Sequence, residues 1–312
     1  MLINIGLILI GFLLLVKGGD YLVDGAVAIA QRARLSSMVI GLTIVGFGTS
    51  APELLVSVQA ALAGSPGISI GNVVGSNIAN IALILGVTSL IAACPASRQT
   101  LRIDMPFMVL SSVLFVTVAM TGTISRVAGV VGVIMLVCFV SWQVVNSRKQ
   151  NNPDEEESDV APMPLWKAVL MVAASFAALV FGADWLIDGA QGIALSMGVS
   201  ERIIGLTIIA VGTSLPELFA SIMAARKGQT DMAIGNVIGS VTFNILSVIG
   251  FSSAICEITH SDEGFLWDYL LMVALGVLLW VFLRTKHLLE RWEGALLTLV
   301  YVAYIVRTVL VQ

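Results

Sequence analysis

Two glutamates, Glu53 and Glu217, stand inside apolar runs, and each closes the same short motif, GTSAPE at 48–53 and GTSLPE at 212–217. A carboxylate near the bilayer centre costs about 2.5–3.5 kcal/mol on insertion scales, so a duplicated one reads as functional. Each motif brings more oxygen. Thr49 and Ser50, like Thr213 and Ser214, offer hydroxyls within one turn, and Thr49 lies on the same helix face as Glu53. Pro52 and Pro216 have no N–H for the carbonyls of Gly48 and Gly212, which predicts a kinked or broken helix with freed carbonyl oxygens. At membrane depth such backbone is tolerated only inside protein or beside a cavity, where it can coordinate a cation. The segments GNVVGSNIANIALILG (71–86) and GNVIGSVTFNILSVIG (235–250) add Ser76 with Asn80 and Ser240 with Asn244, each pair spaced to share a face. The set is two carboxylates, two amides, hydroxyls and bare carbonyls, with no His or Cys. All-oxygen ligation suits hard cations such as Ca²⁺, Na⁺ or Mg²⁺ and disfavours zinc and copper. One Ca²⁺ balances two glutamates; monovalent ions can use the same oxygens only as a group, a simple basis for competition.

Positioning these residues falls to membrane helices. The chain has 312 residues, 58% hydrophobic and 12% charged, with a mean hydropathy of +0.99. Apolar runs of about 20 residues recur throughout, each able to cross a hydrocarbon core. The composition indicates an all-α polytopic membrane protein and excludes a β-barrel and a nucleic-acid binder. Ten segments are expected, near 2–30, 36–63, 70–93, 103–121, 126–145, 165–195, 200–225, 231–255, 266–284 and 291–311. The first is read as a retained helix rather than a signal peptide, because no basic stretch precedes it.

A polar linker at 146–164 separates two halves, 1–145 and 165–312. Residues 41–86 align without gaps on 205–250 at an offset of 164, with 23 of 46 positions identical. Asp20 and Asp24 fall on Asp184 and Asp188 at the same offset. Five helices per half is an odd number, so the second copy enters the membrane from the opposite side: ten helices as two inverted five-helix repeats. Starting the chain outside places 12 Lys and Arg residues inward and 3 outward, with Lys17 inside the first segment. That asymmetry predicts both termini outside and a cytoplasmic linker.

The paired GTSAPE…GNVVGSNIAN and GTSLPE…GNVIGSVTFN motifs resemble the two alpha repeats of the sodium/calcium exchanger branch of the cation/calcium antiporter superfamily, over the whole ten-helix layout. The resemblance implies Ca²⁺ held by Glu53 and Glu217 with oxygens at Thr49 and Thr213. It implies Na⁺ sites at the same glutamates, at Ser50, Ser76, Ser214 and Ser240, and at the carbonyls of Gly46 and Ala210. It further implies a secondary antiporter rather than an enzyme, electrogenic Ca²⁺ extrusion in exchange for Na⁺, and first and sixth helices that slide across the other eight. A prokaryotic plasma membrane is the implied location. Ca²⁺, Na⁺ and the lipid bilayer are the expected partners, with no cofactor and no obligatory protein partner. Some members carry Asp where this chain has Asn244, and Asn here argues against a K⁺ requirement. Val241 stands where the first repeat has Asn77, a position expected behind the ligands.

Other features have plainer readings. Ser57, Ser221 and the GxxxG glycines Gly71, Gly75, Gly235 and Gly239 are expected to pack helices. Asp20, Asp24, Asp184 and Asp188 read as interfacial carboxylates or helix-end partners for arginines, with ion entry or gating as the alternative. The acidic run 154–159 lacks the pattern of an EF-hand loop and reads as solvated linker, so no Ca²⁺-sensing domain is expected. Cys94, Cys138, Cys256, His260 and His287 are isolated, and no role is expected for them. Three rival functions remain: a Ca²⁺/H⁺ antiporter, a cation channel with a glutamate ring, and an intramembrane acid/base enzyme.

Overall fold

A computed structural model of the chain describes residues 1–150, 163–197, 210–259 and 265–311. Parts of the expected segment 200–225 and linker 146–164 lie outside these residues, as do Arg202, His260 and the acidic run 154–159. The architecture is nearly all helical. In chain order the helices are α1 (Leu2–Ala33), α2 (Ser37–Thr49), α3 (Ala51–Leu62), α4 (Pro66–Ile91), α5 (Thr100–Ala119) and α6 (Arg126–Gln150). They continue as α7 (Leu165–Ser196), α8 (Ala210–Gly212), α9 (Leu215–Arg226), α10 (Thr230–Ile255), α11 (Leu266–Lys286) and α12 (Arg291–Val311). Seven of them, α1, α4, α5, α6, α7, α10 and α11, are long and apolar enough to cross a membrane; the bent pair α2–α3 brings this to eight. Trp166, Trp267 and Trp292 sit exposed in the first turns of α7, α11 and α12, as interfacial anchors do. Helix α6 runs five residues beyond the expected segment, through polar Asn146 to Gln150, with Arg148 and Lys149 in its last turn. Cations there favour the negative end of the helix dipole. Ser147 accepts a hydrogen bond from the Ser36 amide at 2.9 Å.

The proline motifs act as expected. Ser50 (φ −82°, ψ 4°) interrupts the helix, and α2 and α3 meet at a bend of 44°. Ser214 (φ −92°, ψ 5°) occupies the matching place before α9. Pro52 and Pro216 each fall in the first turn of the new helix, where a missing N–H leaves no bond unmade.

Helices α1 and α7, each of 32 residues, pack along their length. Gly11 lies against Gly182 and Leu186, Gly18 against Ser175 and Leu179, and Gly25 against Ala168 and Val172. The contacts descend α7 as they climb α1, so the two helices run antiparallel, with small residues letting the backbones close. One buried cluster joins α1 and α7 to the start of α2 and to α9; a larger one joins α4, α5, α6, α10, α11 and α12. Helix α10 is buried over its whole apolar window and α4 over 72% of it, against 22% for α1. The helices that carry the amides and serines are therefore the central ones.

Gly235 and Gly239 of α10 touch the backbone of α2, where a Cβ would collide with the carbonyls of Met38 and Leu42. Gly71 and Gly75 have no such neighbour among the described residues; the positions offset from Met38 and Leu42 are 202 and 206, outside the description. Two short antiparallel ribbons close the ends of the bundle. Strand β1 (Cys94–Pro95) pairs with β4 (Leu288–Leu289), and β2 (Thr123–Ile124) with β3 (Ile258–Thr259). Each ribbon ties a loop of one half to a loop of the other.

Candidate cation site

Glu53 and Glu217 stand in the first turns of α3 and α9, and neither exposes any surface. Thr49, Ser50, Ser76, Asn80, Ser214, Ser240 and Asn244 are buried around them, as is Gly46; Thr213 is half-buried. Ala210 opens α8. The sequence folds this way because each break starts a new helix two residues before its glutamate, which fixes the carboxyl on the inner face.

One amide braces each glutamate turn. Asn72 Nδ2 donates to the Glu53 carbonyl at 3.2 Å and to Ser57 Oγ at 2.9 Å. Asn236 Nδ2 donates to the Glu217 carbonyl at 3.3 Å and to Ser221 Oγ at 2.9 Å. The pattern repeats at the sequence offset of 164. Sequence reasoning passed over both asparagines, although each follows the glycine of a repeated GNV; Ser57 and Ser221 pack helices as expected, through these amides.

Among the described residues, the contacts of the threonine and serine of one motif with the other half are not repeated. Thr49 Oγ1 lies 3.3 Å from Asn236 Oδ1 and 3.5 Å from Ser240 Oγ. Ser240 Oγ donates to the Gly46 carbonyl at 3.5 Å, and Ser50 Oγ donates to Glu217 Oε1 at 3.4 Å. The turn 46–50 has thus closed on Glu217 and α10. Among the described residues, no matching bonds join Thr213 or Ser214 to Glu53, Asn72 or Ser76, and Ser214 Oγ is buried without a partner. Asn80 and Asn244 stand in π-helical turns, Asn80 second in Ala79–Ile84 and Asn244 at the head of Asn244–Val248. Such turns recur at functional sites. Asn244 Nδ2 donates to Asn77 Oδ1 at 3.1 Å, so Asn77 does stand behind Asn244 and leaves its Oδ1 as the free end.

The turn bearing Asn80 packs against α9 and the turn bearing Asn244 against α3, and these elements carry free oxygens. Glu53 Oε1 and Oε2, Glu217 Oε2, Asn80 Oδ1, Asn244 Oδ1 and Ser214 Oγ are all buried without a hydrogen-bond partner. Buried polar atoms are nearly always satisfied, and buried charges pair or coordinate metals. Among the described residues, no group of three or more His, Cys, Asp or Glu side chains could hold a metal ion. A cation here would draw on two carboxylates plus neutral oxygens, a donor set that fits a hard cation.

Asp20 and Asp24 belong to another structure. Lys227 Nζ, just past α9, lies 2.8 Å from Asp20 Oδ1 and 2.6 Å from Asp24 Oδ1, and donates to the Asp20 carbonyl at 2.8 Å. The partner is a lysine, where an arginine was expected. Burial pulls the Lys227 ammonium down, but hydrogen bonds and charge from Asp20 and Asp24 hold it above the ordinary lysine value. The position offset from Lys227 is Ala63, so the exposed Asp184 and Asp188 have no counterpart lysine.

With this geometry in view, the relatives are informative. The sodium/calcium exchanger protein family matches residues 3–145 and 167–310. The sodium/calcium exchanger MaX1 of Methanosarcina acetivorans is 33% identical, over 97% of this chain and 98% of its own. The inner membrane protein YrbG of Escherichia coli is 33% identical over 89% and 88%. The solved structure of the sodium-calcium exchanger NCX_Mj superposes with a TM-score of 0.84 at 31% identity, covering 97% of both chains. Apolar spans, buried paired glutamates and full-length relatives agree, and this integral membrane protein belongs to the sodium/calcium exchanger family.

Proposed function

We propose that the chain exchanges Na⁺ for Ca²⁺ by alternating access, with Ca²⁺ bound between Glu53 and Glu217. The carrying observation is the set of buried, partnerless oxygens on both glutamates and on Asn80, Asn244 and Ser214. Thr49, Thr213, Ser50, Ser76, Ser240 and the carbonyls of Gly46 and Ala210 complete the proposed ligands for Ca²⁺ and Na⁺. Two carboxylates neutralise one Ca²⁺; Na⁺ ions displace it together by occupying the same oxygens.

The proposal includes ten helices in two inverted halves, 1–145 and 165–312, with both termini outside and the linker 146–164 cytoplasmic. Three features support it. Equivalent helices α1 and α7 run antiparallel. The repeat exchanges the ribbons' strands, since β1 and β2 correspond to β3 and β4, while each pairing joins loops assigned to one side. Among the described residues, the contacts between halves are made at one break and not at the other, as expected of a site closed towards one face.

The test is radiolabelled Ca²⁺ uptake into proteoliposomes loaded with Na⁺, against a Na⁺-free interior and an imposed pH gradient. Uptake that requires internal Na⁺ and responds to membrane potential is expected. Uptake driven by the pH gradient alone would reassign the coupling ion to the proton. Glu53→Gln and Glu217→Gln are each expected to abolish uptake while still inserting; normal exchange by either variant would overturn the site.

A further inference from the structure

Three arginines and a histidine stand together around a cavity that shares no residue with the cation site. Arg98 and Arg102 lie just before and within the first turn of α5, and Arg284 and His287 lie at the end of α11. With Pro106 and Trp280 they line a cavity of about 600 Å³. All four cationic or titratable side chains are exposed. No ion pair joins these arginines to a carboxylate among the described residues.

The basin is built rather than accidental. Trp280 Nε1 donates to the Leu101 carbonyl at 3.0 Å, pinning α11 to α5. The Arg284 guanidinium lies over the Trp280 ring, 5.8 Å from its centre. The His287 carbonyl accepts from the Ala96 amide at 2.8 Å, which anchors the corner beside the β1–β4 ribbon.

A second cavity, of about 570 Å³, continues from the first and shares Arg102 and Pro106 with it. Its walls are apolar: Phe107, Leu110, Met135, Phe139 and Trp142 of α5 and α6. Phe107 and Phe139 stack at 3.8 Å, while Leu110 and Trp142 are exposed at its edge. Both helices are long and apolar enough to cross a membrane, and the exposed Leu110 and Trp142 put the groove on the outer surface of the bundle.

We propose that basin and groove form one binding site for an anionic phospholipid, its phosphate among Arg98, Arg102 and Arg284 and an acyl chain along the α5–α6 groove. Guanidinium forks match phosphate geometry, and basic pockets between membrane helices take anionic headgroups. A soluble phosphate would use the basin alone. The apolar groove that begins at Arg102 and Pro106 is what selects an amphiphile.

The test is native mass spectrometry of the detergent-purified full chain with phosphatidylglycerol or phosphatidylcholine of identical acyl chains. Preferential retention of phosphatidylglycerol is expected, falling about fivefold in Arg284→Gln and about a hundredfold when Arg98 and Arg102 are also changed to Gln. The single variant keeps the test readable should the triple variant not fold, and lipid-free melting in detergent checks the fold of both. Equal retention of the two lipids, or unchanged phosphatidylglycerol retention in Arg284→Gln and the triple variant, would overturn the site. Displacement of phosphatidylglycerol by equimolar glycerol 3-phosphate would reassign the basin to a soluble anion.

Discussion

Asn236 joins three groups beside the glutamates. Its Nδ2 holds the Glu217 turn and Ser221, while its Oδ1 faces Thr49 of the other half. Asn236→Ala leaves buried polar atoms unpaired, at a cost of about 1–3 kcal/mol. A lowered melting temperature in detergent is expected, together with weaker Ca²⁺ uptake. Unchanged stability would show that water replaces the amide. Asn72 makes the same two donor bonds but is half-buried, so Asn72→Ala is expected to lower the melting temperature less. Ser50 and Ser214 differ in the same way. Ser50→Ala removes a bond to Glu217, whereas Ser214→Ala removes a hydroxyl that has none.

Among the elements, α10 and α1 carry distinct constraints. Gly239 brings α10 onto the α2 backbone at the Leu42 carbonyl. Gly239→Ala forces α10 away from the turn 46–50 and is expected to destabilise by about 1–3 kcal/mol. Its measurable signature is a lower melting temperature with reduced exchange; wild-type values for both would contradict the contact. Helix α1 is tied to the end of α9 by Lys227. Because the lysine's pKa is raised in the folded state, its contribution is fully present below the ordinary value of 10.5 and disappears as pH rises through the elevated one. Wild-type stability is therefore expected to fall on the alkaline side. Lys227→Ala is expected to lack that alkaline loss and to be about 1 kcal/mol or less weaker at neutral pH. Identical alkaline melting curves for wild type and variant would exclude the tie.

For the whole molecule, the consequences concern sidedness and closure. Tags at the two termini are expected to react with a membrane-impermeant reagent on intact cells, while the thiol of Ser158→Cys is expected to be shielded until the cells are opened. Labelling of the linker from outside would reverse the orientation. Thr123 and Thr259 face each other in the β2–β3 ribbon. Thr123→Cys combined with Thr259→Cys is expected to cross-link under mild oxidation, joining fragments cleaved within the linker. Failure to cross-link would contradict the ribbon register.

The enclosure of Glu53 and Glu217, the break before Pro52 and the offset of 164 are legible in the sequence. Each follows from local chemistry: a charge is expensive in hydrocarbon, proline lacks an N–H, and identical residues recur in order. Ser57 and Ser221 were likewise readable as packing residues, but Asn72 and Asn236, which hold them, were not. Their role depends on which neighbouring helix each amide meets, and Thr49 and Asn236 are 187 residues apart. Lys227 was hidden for the same reason, since its partners lie 203 and 207 residues away on α1. The folded chain also decided an asymmetry that matched motifs do not encode. GTS occurs in both halves, yet among the described residues it is Thr49 and Ser50 that have closed on the opposite glutamate's helix and its neighbour. Two similar repeats packed around one site can close on it by turns, so which break is closed is a property of the packed conformation and not of either motif.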